Sequence, residues 1–183
     1  MLRSFAMPSI EPLIGHDELS ARVLSLAQEI RADFPEGPVH FVCVLKGAFI
    51  FLADLVRSMQ GPVSIDFMAV SSYAGRTTSS GEVKLVKDLD SGLQDRDVVI
   101  VEDIVDTGLT LHYLQEILLA RGPRTLKTAC LLSKPSRRQI DVHVDYIGFT
   151  IEDKFVIGYG LDYAQQYRHL PYIGVLDASQ AGL

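Results

Sequence analysis

Val98-Val99-Ile100-Val101-Glu102-Asp103-Ile104-Val105-Asp106-Thr107-Gly108-Leu109-Thr110 reads as a strand that runs through a turn into a helix. Four consecutive β-branched residues with no polar alternation suit a strand covered on both faces, as in a parallel sheet. Glu102 and Asp103 then stand at its carboxyl end, where open α/β sheets bind ligands. Thr107, Gly108 and Thr110 fall at the start of the helix, whose first N–H groups lack intrahelical partners and carry the positive end of the dipole. That arrangement suits a phosphate. Gly108 permits close approach of the backbone, and the threonine hydroxyls add donors. Two acids beside an anion would repel it, so Glu102 and Asp103 imply Mg²⁺, sugar hydroxyls or both. Taken singly, Asp106 is an N-cap and Glu102-Asp103 a solvated strand end; together in thirteen residues they point to a site.

Outward from this stretch, apolar β-branched runs alternate with helical patterns, which predicts an α/β fold with a mostly parallel twisted sheet flanked by helices. Leu19, Val23, Leu26, Ala27 and Ile30 share one helical face over 16–32. Strands are expected at 39–45, 63–70, 82–86, 97–103 and 125–132, with helices at 48–59 and 110–120. Residues 71–81 are polar and rich in Gly, Ser and Thr, as in a loop or hairpin tip. Beyond 145, short strands at 146–149, 155–157 and 173–176 lack full helices between them. The chain is read as one domain, 1–183, with a small accessory hood lobe formed by the N-terminal segment and the region after about 150.

At 183 residues, 48% hydrophobic and 22% charged, the chain can bury one sizeable core. A net charge of −6 argues against a nucleic-acid partner, which needs a basic face. No stretch has the length of a membrane span, and no leader is recognised; a cytoplasmic location without membrane association is expected. Cys43 and Cys130 sit in apolar runs and read as buried, inert thiols. His112 and His143 read as structural or surface residues.

The order apolar strand, Glu102-Asp103, two apolar residues, Asp106-Thr107-Gly108, Leu109, Thr110 resembles the motif with which type I phosphoribosyltransferases bind 5-phosphoribosyl 1-diphosphate (PRPP). The Gly-rich nucleotide loop ending in Gly-Lys-Ser/Thr is absent, which disfavours an NTPase. The resemblance implies that Glu102 and Asp103 face the ribose and Mg²⁺ while Thr107, Gly108, Leu109 and Thr110 hold the 5′-phosphate. Some relatives carry Lys at position 109; here only the Leu109 main chain can serve. Asp at position 106 is similar to members acting on 6-oxopurines, and it implies a general base. The purine loses a proton from N7 as N9 attacks the anomeric carbon, and a carboxylate can accept it.

Further matches resemble the hypoxanthine-guanine branch. Lys46-Gly47 resembles the pyrophosphate loop, which in the family often contains a cis peptide. Ser72-Tyr73 resembles the start of a lid loop that keeps water from the reacting centre. Lys134 matches the lysine that donates to the purine O6. In the 153–163 signature, Phe155 would stack on the base, Val156 would contact it through the main chain, and Asp162 would meet an exocyclic amino group or a second Mg²⁺. Arg168 would hold pyrophosphate. The resemblance implies transfer of the phosphoribosyl group from PRPP to hypoxanthine and/or guanine, in purine salvage, by a homodimer or homotetramer. Two alternatives stay open: a xanthine-guanine phosphoribosyltransferase, and a PRPP-binding regulator of nucleic acid, which the acidic charge disfavours.

Overall fold

A computed structural model describes residues 10–72 and 83–176. Six strands form the main sheet in the order β4-β3-β2-β5-β6-β7. They are β2 (Val39–Leu45), β3 (Val63–Ser72), β4 (Val83–Lys87), β5 (Asp97–Val105), β6 (Thr125–Ser133) and β7 (Tyr146–Thr150). All neighbours pair in parallel except β3 and β4, which are antiparallel. A second, antiparallel sheet joins β1 (Pro12–Ile14), β9 (Ile173–Val175) and β8 (Val156–Ile157) in that order.

The pleat explains the layers. Along β2, Val39, Phe41 and Cys43 face one core, while Val42 and Val44 face the other. β5 does the same, Val99 and Val101 opposing Val98 and Ile100. The first core is closed by α1 (His16–Asp33) through Leu19, Val23, Leu26, Ala27 and Ile30, and by α2 (Phe49–Ser58) through Phe51, Leu52 and Leu55. The second is closed by α3 (Leu109–Leu119) through Leu111, Leu114 and Leu118. Each fully buried Leu or Phe of this kind contributes about 1.5–3 kcal/mol by leaving water. The helix α1 also has Asp17 and Glu18 in its first turn and Arg31 in its last, the signs its dipole favours. Cys43 and Cys130 are buried as free thiols, and burial pushes both up to about 12.

Strand order carries the functional consequence. From β2 the chain leaves through α2 to β3 on one side, and from β5 it leaves through α3 to β6 on the other. The crevice between the carboxyl ends of β2 and β5 is therefore the switch point at which such sheets bind ligands. Lys46-Gly47 follows β2, and the turn 106–108 follows β5. No described helix is long and apolar enough to cross a membrane.

Candidate active site

Two backbone segments meet at the switch point. The peptide joining Leu45 to Lys46 is cis. A Cβ at Gly47 would collide with the Asp103 carboxylate, so only glycine lets this loop lie against the end of β5. Gly108, the N-cap of α3, has φ +88°, the left-handed region that favours glycine. A Cβ there would also stand 2.9 Å from the Ile140 carbonyl.

The turn 105–107 is braced from behind by the segment after β6. Lys134 N–H donates to Val105 O (3.0 Å), and Gln139 and Ile140 N–H both donate to Thr107 O (3.0 and 3.3 Å). The Arg138 guanidinium donates to the carbonyls of Val105 (2.6 Å) and Asp106 (2.7 Å). In a planar trans peptide C=O and N–H point oppositely, so carbonyls held behind the turn direct its N–H groups forward. A cavity of about 190 Å³ lies there, lined by Val44, residues 102–108, Thr110 and Leu111. Anion-binding capacity thus comes from main chain, helix dipole and the Thr107 and Thr110 hydroxyls.

At the cavity wall Glu102 is 6% exposed. Burial raises its carboxyl well above the usual range, and the neighbouring Asp103 charge adds to the effect. Burial also raises Asp103 to about 6, although it accepts the Ile104 N–H (2.7 Å) and feels Arg168. A buried acid and a partly buried neighbour, both with raised values, call for a cation or for hydroxyl donors. Among the described residues no three His, Cys, Asp or Glu side chains converge to hold a metal unaided. The pair suits Mg²⁺, which is commonly held by one or two carboxylates together with substrate oxygens.

The matching family is the phosphoribosyl transferase domain, over residues 15–164. The chain belongs to that family. It is 48% identical over 164 residues to the hypoxanthine-guanine phosphoribosyltransferase of Bacillus subtilis, covering 90% of this chain and 91% of that one. It is 46% identical over 168 residues to the hypoxanthine phosphoribosyltransferase of Salmonella typhimurium, covering 91% and 94%. A solved hypoxanthine phosphoribosyltransferase structure from Staphylococcus aureus superposes with a TM-score of 0.90 at 40% identity, covering 98% of each chain.

The remaining expected residues of this phosphoribosyltransferase fall in two groups. On one side of Asp103, Arg168 pairs with Asp162 (2.8 Å) and donates to Gly160 O (2.7 Å). Arg168 and exposed Lys46 also line a larger cavity, about 710 Å³, walled by Phe49, Leu52, Val56, Ile65 and Phe67. Asp162 also accepts the Gln165 N–H (2.8 Å). On the other side, Lys134 is buried, 7% exposed, at the end of β6. Phe155 is 44% exposed and meets Tyr163 edge-on at 5.8 Å, leaving ring surface open for stacking, while Val156 is buried in β8. Ser72 ends β3; Tyr73 lies outside the described residues. His112 lies beside Glu116, and His143 is exposed beside Asp145.

Three functional candidates escaped the sequence reading. Arg138 braces the turn, and Arg137 and Asp153 join the expected residues in one chain of charge. Arg137 Nε donates to Asp106 Oδ1 (3.2 Å), Arg137 Nη1 lies 3.6 Å from Asp153 Oδ2, and Lys134 Nζ lies 3.6 Å from Asp153 Oδ1. The available signal was the run Lys134-Pro135-Ser136-Arg137-Arg138, three cations around a proline directly after a core strand.

Proposed function

We propose that the chain transfers the 5-phosphoribosyl group of PRPP to hypoxanthine or guanine, releasing pyrophosphate and forming the nucleoside monophosphate. The observation that supports this most directly is the pairing of a backbone-built anion cradle with Asp106 at its mouth and buried Lys134 nearby. In this reading Thr107, Gly108, Leu109 and Thr110 bind the 5′-phosphate, and Glu102 and Asp103 face the ribose hydroxyls. Mg²⁺ held by that acidic pair and by substrate oxygens would neutralise charge on the pyrophosphate. Lys46 and the Gly47 main chain, with Arg168, receive the leaving group. Phe155 stacks on the purine, the Val156 main chain borders it, and Lys134 donates to O6. Asp106 accepts the N7 proton as N9 attacks. Asp162, paired with Arg168, takes the exocyclic amino group of guanine or a second Mg²⁺ as its further partner.

Lys134 can donate but not accept, which favours a 6-oxo over a 6-amino purine. Free buried thiols accord with a reducing cytoplasm. The exposed Phe49 and Ile65 beside the larger cavity support a homodimer or homotetramer. The deciding experiment is nucleotide formation from PRPP with hypoxanthine, guanine, xanthine and adenine side by side. Hypoxanthine or guanine should lead; xanthine turnover equal to hypoxanthine would favour the xanthine-guanine branch, and adenine preference would overturn the role of Lys134.

A further inference from the structure

Asp106, Arg137, Asp153 and Lys134 form a row of alternating charge across the base-binding side of the crevice. The row is specific in its geometry. Two of the three nitrogens of one guanidinium address two different carboxylates, and the two oxygens of Asp153 face two different cations. Its ends are the two groups already assigned to the N7 and O6 atoms, which are neighbours on one edge of a 6-oxopurine. Its middle members have no role in that assignment.

We propose that Arg137 is a positioning residue that, with Asp153 as relay, sets the spacing between the Asp106 carboxylate and the Lys134 ammonium to match the N7–O6 edge of the purine. This rests on the roles given above to Asp106 and Lys134. Three observations carry it. First, the Arg137 backbone cannot drift relative to Asp106. It lies in the 3₁₀ turn Pro135–Arg137, closed by Arg137 N–H to Lys134 O (3.1 Å), and the next residue grips the Val105 and Asp106 carbonyls. Second, the side chains of Asp106, Arg137 and Asp153 are between 39% and 52% exposed, and exposed ion pairs add little to stability. Holding the fold together is therefore a poor account of the row. Third, Lys134 is almost fully buried beside the far more exposed Asp153, so burial fixes the lysine end of the row and the relay acts on the carboxylate end. A planar fork can bridge two carboxylates; a lysine ammonium, a single point charge, cannot bridge them at fixed angles.

The test varies hypoxanthine and PRPP independently in initial-rate measurements on Arg137→Gln, Arg137→Lys and Asp153→Asn, with thermal unfolding of each. Misplacing both edge contacts should lower kcat/KM for hypoxanthine about 10–100-fold in Arg137→Gln, because reacting geometry tolerates little displacement. The KM for PRPP should stay within about twofold, and the unfolding midpoint should be unchanged. Arg137→Lys should recover only part of the loss. Asp153→Asn should move the same parameter by less, and the double variant should be no worse than Arg137→Gln alone, as expected of residues acting in one row. Unaltered hypoxanthine kinetics, a loss confined to PRPP, or additive losses in the double variant would overturn the proposal. If Arg137→Gln does not fold, Asp153→Asn carries the same test. Asp106→Asn, measured in parallel, separates the two levels. Full turnover there removes the proton-acceptor role and this inference with it, whereas impaired Asp106→Asn beside normal Arg137→Gln removes the positioning role alone.

Discussion

The proposed phosphate side of the crevice is one continuous stretch, 102–110, whose donors are mostly main-chain N–H groups, whereas the base side gathers Lys134, Arg137, Asp153 and Phe155 from two separate segments. The first is held by carbonyl hydrogen bonds behind the turn and by glycines that admit no Cβ. The second is held by ion pairs that link three half-exposed side chains to the buried Lys134. A site made of backbone is rigid and nearly indifferent to side-chain identity. A site made of side chains can be retuned one residue at a time, which fits a family in which the sugar-phosphate donor is shared and the base differs.

That contrast can be broken at several points. Asp106 belongs to the phosphate stretch by sequence and to the base side by contact, and Asp106→Asn should show the largest effect. Turnover should fall about 10²–10⁴-fold, the usual contribution of a positioned base, with PRPP affinity by calorimetry largely retained. Next, Gly108→Ala should raise the KM for PRPP by about 10²-fold through displacement of the cradle, while Leu109→Ala, which keeps the main chain, should leave it nearly unchanged. Equal losses in the two variants would contradict a backbone-built cradle. Lys134→Ala should lower the hypoxanthine-to-adenine rate ratio at least about tenfold, since the gain from donating to O6 is lost; an unchanged ratio would return the selectivity to shape alone.

The smallest effect lies away from both sides, at the opposite end of β5. Hydrogen bonds from Arg124, then from Thr125, hold the Asp97 carboxyl below its usual range. A lowered folded value means the pair's contribution is present above the unfolded pKa, about 3.9, and is lost as pH falls through the folded one. The unfolding midpoint should therefore drop below about pH 4, and Asp97→Asn should flatten that dependence without changing hypoxanthine kinetics.

Much of the fold was legible because burial imposes simple patterns. The strand 39–45 was recognisable as an unbroken apolar run, and its bounds agree with the structure. The strand 97–103 extends two residues further, to Val105, because Ile104 and Val105 still pair with β6. The strand Pro12–Ile14 was missed; three residues with one buried side chain carry no period. The 3₁₀ turn Pro135–Arg137 was missed for the same reason of length. Strand order had no local signature, since it depends on which helix covers which face. Residues 102–110 of the candidate site were readable because their chemistry is contiguous. Arg137, Arg138 and Asp153 were not, because a surface cation or carboxylate looks the same in sequence whether it faces solvent or a partner.

The brace that Arg138 and its neighbours place behind the turn has a consequence for how the protein comes into being. The turn 105–107 gains its bonds from residues synthesised about thirty positions later, beyond the whole of α3 and β6. A nascent chain ending at α3 carries every residue of the PRPP motif and yet lacks the partners that direct its N–H groups. Affinity for the donor should emerge on the ribosome only after β6 and the turn behind it have cleared the exit tunnel and docked, so that ligand binding can report completion of the sheet.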